Sequence, residues 1–437
     1  MRRTFFGFAA PSAGFLPAAF RALVLTGALG ACATAPSESV EAADDVGSQD
    51  DAVTDVLHSS VKDQATNNCW IYATVGWTES LVKTAGGRDL NLSESYLTYW
   101  NWFERILAGD VVKGAVEEGG SWGQAADLMI RYGLVQEKDF VPGEEKEALS
   151  ARQTTALAAI NKELASGSLK SKAARRDRRV VRAALDKAWK LDPSVRANLD
   201  ATFGKDVSKN LAKNFRVALL PDGVPIWKPS DLKARLKNPT TGDFDDVTLA
   251  DALGARLSDT DLDHRSGTYA WNDVAYPKTK PARRNFQKRV QRALADGQPV
   301  MINWMIDFNA LTKDGKVEAP PAKPGSQGGH VTLLEDYEIE NVPGFGTLPA
   351  GKLETRPAAL EAALSDEATI TFFRTKNSWG PTYRKLPEPA PGGYHDLYLR
   401  YLDGPVKACE VDKDENPLPD TCVDSVPFES VVLPAGY

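Results

Sequence analysis

The stretch "NNCWIYATVGWTESLVKTAGG", Asn67 to Gly87, constrains the fold more than any other part of the chain. On a helix, Trp70, Ala73, Trp77 and Leu81 fall on one face, and Ile71, Val75 and Val82 on another. A helix apolar on two faces has to be covered on both, so it runs through the middle of a domain. Asn67 or Asn68 is placed to cap its start, and Gly86 with Gly87 to end it. Cys69 then lies in the first turn, where the helix dipole favours a thiolate. A thiol performs no directed chemistry alone; it needs a base, a group to orient that base and an oxyanion donor.

The flanking sequence supplies the helix's surroundings. "LSESYLTYWNWFERILAG", with Ser93 as N-cap, and "SWGQAADLMIRYGL" read as two more helices, making 55–144 a helical half. Residues 145–285 read as a mainly helical insertion. Its alanine-rich, charged first part predicts two or three surface helices, with the basic run Arg175 to Arg182 as a solvated face. From 203 to 285, Pro, Asp and Gly break the chain into short apolar runs with no assignable role. The texture changes at 286–437. "RNFQKRVQRALADGQPVMINWMI" predicts a helix, a turn at Gly297 and a strand from Val300 to about Ile306. "HVTLLEDYEI", "ATITFFRTKNSW" and "YHDLYLRYL" follow as strands rich in β-branched and aromatic residues. The expected class is α+β, a helical half plus a sheet-rich half with an insertion between them.

The N-terminus reads as an address. Arg2, Arg3 and Arg21 precede the apolar run "ALVLTGALGA" with no acidic residue among them, which predicts an export signal over 1–31. It ends in "LGAC", which resembles the lipobox of bacterial lipoproteins; that resemblance implies cleavage before Cys32 and lipidation of its thiol. Residues 32–54, small, polar and acidic, read as a flexible tether. The expectation is an exported protein, lipid-anchored to the cell envelope on the outer-membrane side. With 52 basic against 59 acidic residues, nothing in the net charge of −7 favours a nucleic-acid partner.

Export also frames the cysteines, since it places them in an oxidising compartment. If Cys32 carries lipid, Cys409 and Cys422 are left close together around a polar loop, which a disulfide could close for roughly 3 kcal/mol of loop entropy. Cys69 is then the unpaired one. Asp412, Asp414 and Asn416 in that loop have calcium-loop spacing, but Pro417 stands where a glycine is required and no acid closes the loop, so no metal site is expected.

Two distant stretches complete a thiol site. "GGHVTLLEDYEI" places His330 at a strand start, and "TKNSWG" places Asn377 at a strand end. Cys69, His330 and Asn377 can supply nucleophile, base and orienting group. With "DQ" ahead of "CW" and with "NSWG", the chain resembles the papain-family cysteine peptidases, and within them the bleomycin hydrolase branch, over roughly 61–140 and 286–404. The resemblance implies a papain-like two-part fold, no cofactor and peptide substrates. It makes Cys69 the nucleophile, His330 the base and then acid, Asn377 the acceptor that orients the ring, and Gln64 an oxyanion donor beside the Cys69 N–H. It also implies that substrate lies along Gly119 and Gly120, and that Trp70 and Trp379 support the site, Trp379 by covering the His330–Asn377 bond. Gln64 stands five residues before Cys69 where the family spacing is six, and Asn68 replaces a small residue. His58, His264 and His395 offer no rival base and no zinc cluster. Two alternatives remain open: a degenerate peptide-binding lipoprotein, and a cysteine-dependent acyltransferase. Oligomeric state and side-chain preference are not legible.

Overall fold

The computed structural model describes residues 55–57, 59–211, 226–258, 260–410 and 417–437. The signal, Cys32, the tether, His58 and the Asp412 to Asn416 segment lie outside the described residues.

Helix α1, Cys69–Gly86, is buried over its first fourteen positions, Cys69 to Val82, as two apolar faces require. Asn68 occupies the N-cap position without capping. Its amide donates instead to Thr98 Oγ1 at 2.9 Å and to Gln153 Oε1 at 2.8 Å, tying the helix start to its neighbours. Gly87 ends the helix at φ 64°, the left-handed conformation glycine adopts without strain. Helix α2, Glu94–Ala108, starts at Ser93, whose hydroxyl accepts the Tyr96 N–H, and α3, Trp122–Tyr132, starts at a Ser121–Gln124 capping box. Trp77 of α1 meets Trp122 edge-to-face at 4.7 Å and Trp271 at 5.1 Å. Each such pair is worth about 0.5–1.5 kcal/mol beyond the area it buries.

The segment read as an insertion is more integral than its composition implies. Helices α4 (Ala151–Ser166), α5 (Arg178–Ala188) and α6 (Pro193–Phe203) share one core with α1 and α2. Trp189, just past α5, packs on Trp102 at 5.2 Å. The region read as irregular holds a hairpin of β1, Lys233–Lys237, and β2, Phe244–Thr248, and then β3, Trp271–Ala275. Strand β1 turns only Ala234 and Leu236 inward, too short a run to register as alternation. Strand β3 belongs to the main sheet, so the boundary expected at 285 falls inside the sheet half.

Helix α7 (Lys280–Ala295) leads into β4 (Val300–Asp307), β5 (Lys316–Val317), β6 (Gln327–Val342), β7 (Thr369–Lys376), β8 (Tyr394–Tyr398) and β9 (Phe428–Pro434). Among the described residues these strands run in the order β3-β9-β4-β6-β7-β8-β5, and Gly346–Leu348 folds back on β6. All pairings are antiparallel except β8 with β5. Met301, Leu333 and Val432 belong to the core around α1, while Ile302, Trp304, Leu334, Phe373 and Val431 form a second core with α7. The excursion between β6 and β7 carries a short helix, Pro357–Ala363. A disulfide joins Cys409 to Cys422. The architecture is thus α+β, with the site residues at the seam between the two halves.

Candidate active site

Backbone pairing draws the nucleophile's approach and the orienting residue together. The Gln64 N–H donates to the Ser378 carbonyl at 2.8 Å, and the Gly380 N–H to the Lys62 carbonyl at 3.2 Å. The chain entering α1 is therefore zipped to the chain leaving β7. Lys62 anchors this zipper from inside, its ammonium donating to Glu94 at 2.8 Å and to the Leu92 carbonyl at 2.8 Å, with Glu137 at 3.4 Å. Burial opposes that charge, but Glu94, Glu79 and Glu137 more than compensate and keep it protonated. Across the seam, the N–H of Val331, the fifth residue of β6, donates to Cys69 Sγ at 3.3 Å. The sulfur thus sits against the residue following His330.

The ring of His330 is fixed from three sides. Its Nε2 lies 2.8 Å from Asn377 Oδ1, which also accepts the Ser378 N–H at 2.7 Å. An N–H at Ser378 can only donate, so that amide atom is the oxygen. His330 Nε2 must then carry the proton, which leaves Nδ1 as an acceptor. Among the described residues Nδ1 has no hydrogen-bond partner, although it is fully buried. Trp379 stacks on the ring at 4.7 Å with planes 8° apart, and Trp304 meets it edge-on at 5.7 Å. Burial pushes the imidazole down to about 4, the bond to Asn377 partly opposing it. Beside a neutral sulfur this ring is an uncharged base at neutral pH.

Gln64 is held in the same manner. Its Oε1 accepts the Ser378 hydroxyl at 2.7 Å and its Nε2 donates to the Thr66 carbonyl at 3.2 Å, so the NH2 end of the amide lies on the loop side that leads to Cys69. Gly119 and Gly120 are half-buried beside Trp70, whose Nε1 donates to the Glu118 carbonyl at 3.2 Å. A Cβ on Gly120 would stand 2.4 Å from the Trp70 ring, so only glycine fits over it. The Gly119 carbonyl accepts from Arg105.

One expectation is corrected. Cys69 is not the unpaired cysteine but half of a disulfide, whose partner lies outside the described residues. Thiolate is the species that exchanges into disulfides.

Two residues that sequence reading passed over belong to the site. Ser378, inside "NSWG", orients both amides. His395, read as lying merely beside the last strand, is fully buried with Nδ1 3.2 Å from Asn377 Nδ2, and meets Trp379 edge-on at 5.3 Å. The signal for it was positional: Thr375 pairs with His395, and Asn377 lies on the same face two residues on. His264, by contrast, is exposed and bonded to Asp261. Among the described residues no three His, Cys, Asp or Glu side chains converge as a metal site.

No protein-family model and no curated protein sequence matches the chain. Solved structures do. PepW from Lactobacillus rhamnosis shares 12% identity at a TM-score of 0.40, over 88% of this chain and 82% of its own. Xylellain, a cysteine protease from Xylella fastidiosa, shares 13% at 0.36 over 85% and 91%. The bromelain protease from Ananas comosus shares 14% at 0.32 over 86% and 93%. At these scores the likeness carries no weight for the site, whose reading rests on the geometry above.

Proposed function

We propose that the chain, with Cys69 reduced, is a papain-type cysteine peptidase acting on peptides. The observation that carries this reading is the tautomer forced on His330. Asn377 holds the Nε2 proton, and Nδ1 is left as a buried acceptor next to the residue that contacts Cys69 Sγ. Nδ1 takes the thiol proton, and the thiolate attacks the peptide carbonyl, forming a C–S bond. The oxyanion is met by the Gln64 amide and the Cys69 N–H, the latter in a first turn with no intrahelical acceptor. The imidazolium returns its proton to the leaving amine as the C–N bond breaks. A water, deprotonated by Nδ1, then cleaves the thioester and regenerates the thiol.

The likeness of "LSESYLTYWNWFER" and "GGSW…YGLV" to the intervening helices supports the bleomycin hydrolase branch of that family. The loop carrying Leu262 and Asp263 seats on the start of α3, where Asp263 Oδ1 accepts the Gly123 N–H at 2.8 Å, three residues past Gly120. We read this loop as one wall of the substrate path, which favours peptides over folded proteins. The anchor reading rests on "LGAC" and makes the protein an envelope lipoprotein; a lipidated Cys32 has no thiol left to pair, and with Cys409 joined to Cys422 the anchored form would carry Cys69 reduced.

The test is hydrolysis of a mixed peptide library by residues 33–437 under reducing conditions. Cleavage by the wild type and none by Cys69→Ala is expected; equal turnover by both, or none by either, removes the peptidase reading. Membrane partition of the full chain, lost in Cys32→Ser, tests the anchor.

A further inference from the structure

The buried ring of His395 has no part in the reaction just described, yet it touches the group that orients the base. Asn377 Nδ2 stands 3.2 Å from His395 Nδ1. The Ser378 N–H fixes the other end of the amide as oxygen, so Nδ2 is an NH2 and can only donate. His395 Nδ1 must accept it, which puts the His395 proton on Nε2. The two imidazoles therefore bracket one amide in opposite senses: His330 donates to its oxygen, and His395 accepts from its nitrogen. We infer that His395 is a positioning residue for the thiol site, holding the Asn377 amide in the orientation that keeps His330 Nδ1 available to Cys69. This inference rests on Cys69, His330 and Asn377 acting as a unit.

Placement supports a dedicated role. His395 lies in β8 directly across from Thr375, whose hydroxyl bonds to Thr332 Oγ1 at 2.7 Å and the Leu333 carbonyl at 3.1 Å rather than to Asn377. Among the described residues His395 is thus the side-chain acceptor for this amide hydrogen. A leucine of similar volume would leave Nδ2 buried and unsatisfied, and the amide would gain by rotating or tilting away. The groups that bear on the charge of His395 are His330 and Arg384, both of which oppose it along with burial, and the Tyr383 backbone, which favours it. The ring is accordingly neutral, as an acceptor must be.

The test uses the reduced full chain with His395→Leu and His395→Asn, the asparagine oxygen falling near the Nδ1 position. Iodoacetamide labelling of Cys69 is followed by mass spectrometry against pH, together with kcat and KM on a peptide cut by the wild type. For His395→Leu we expect labelling at pH 6 to slow about tenfold and kcat to fall about 10- to 100-fold with KM unchanged, the size seen when an orienting partner is lost. His395→Asn should recover both to within about threefold. Should the leucine variant not fold, His395→Gln, whose oxygen falls at Nε2 instead, takes its place. Labelling and kcat unchanged in the variant without an acceptor, or equal losses in both variants, would overturn the inference. If the wild type cuts no peptide, the peptidase reading fails alone, and the labelling profiles still decide the role of His395.

Discussion

The rings of His330 and Trp379 lie parallel, 4.7 Å apart, so one face of the candidate base never meets water. Removing that cover in Trp379→Ala admits water to compete for the His330–Asn377 bond, a bond worth about 1 kcal/mol net, so kcat/KM should fall about fivefold. The ring should also titrate closer to 6.5, the value from which burial displaces it. A normal kcat/KM together with an unshifted ring would show that the stack is packing alone.

Burial sets the charge state of His330 in the absence of a thiolate. In Cys69→Ala, NMR of the ring should show it neutral down to about 4. The folded value lies below the unfolded one, so the unfolded chain takes up the proton first as the pH falls. This ring's effect on stability is therefore absent above pH 6.5 and becomes progressively unfavourable from there to about 4, by up to about 1.4 kcal/mol per pH unit. Replacing it in Cys69→Ala/His330→Gln should flatten stability over that window. An unchanged pH slope would mean that the ring is solvated in the folded state.

Gln64 and Ser378 should act as a pair. Gln64→Ala removes the proposed oxyanion donor and should lower kcat by about 10²- to 10³-fold while leaving Cys69 labelling intact. Ser378→Ala frees the amide to flip, and should cost part of the same rate without adding to it in the double variant. Fully additive losses would separate the two residues.

Only glycine fits at position 120. In Gly120→Ala the new methyl would meet Trp70 at 2.4 Å, in a ring with no room to retreat, and denaturant unfolding should show a loss of about 1–3 kcal/mol. Gly86, at the exposed end of α1 where an alanine Cβ would meet nothing within 4 Å, is the control, and its alanine variant should be neutral or more stable by up to about 1 kcal/mol. Equal effects at both sites would place the cost in the backbone.

In full-length protein whose Cys32 is not lipidated, the disulfide at Cys69 makes activity conditional. Protein prepared without reductant should resist iodoacetamide at Cys69 and cut nothing, and both properties should appear together on titration with dithiothreitol. Activity before any labelling at Cys69 would dissociate the nucleophile from the reaction.

The parts of this site legible in the sequence were those set by one element at a time. Cys69 opens a doubly apolar helix, His330 lies near the start of a strand and Asn377 follows the end of one, and their roles were legible through the resemblance of "CW", "GGH" and "NSWG" to the papain family. His395 was not legible, because its partner stands eighteen residues earlier and meets it only through the register of β7 on β8. A histidine in an inward-facing strand position reads as core until that register is known. Strand β3 was missed for a related reason: Asn272, Asp273 and Val274 alternate too little to signal a sheet edge, and its membership depends on β9, more than 150 residues later.

Strand β9 lies between β3 and β4, so the two strands that flank it are both made long before it. Until residues 428–434 emerge from the ribosome, β3 has no partner and β4 presents an open edge beside the strand that carries His330. The nascent chain therefore has every residue of the thiol site before the sheet that supports them can close. The closing of that support, and the sheet's exposure to edge-to-edge association, are both decided when β9 is synthesised.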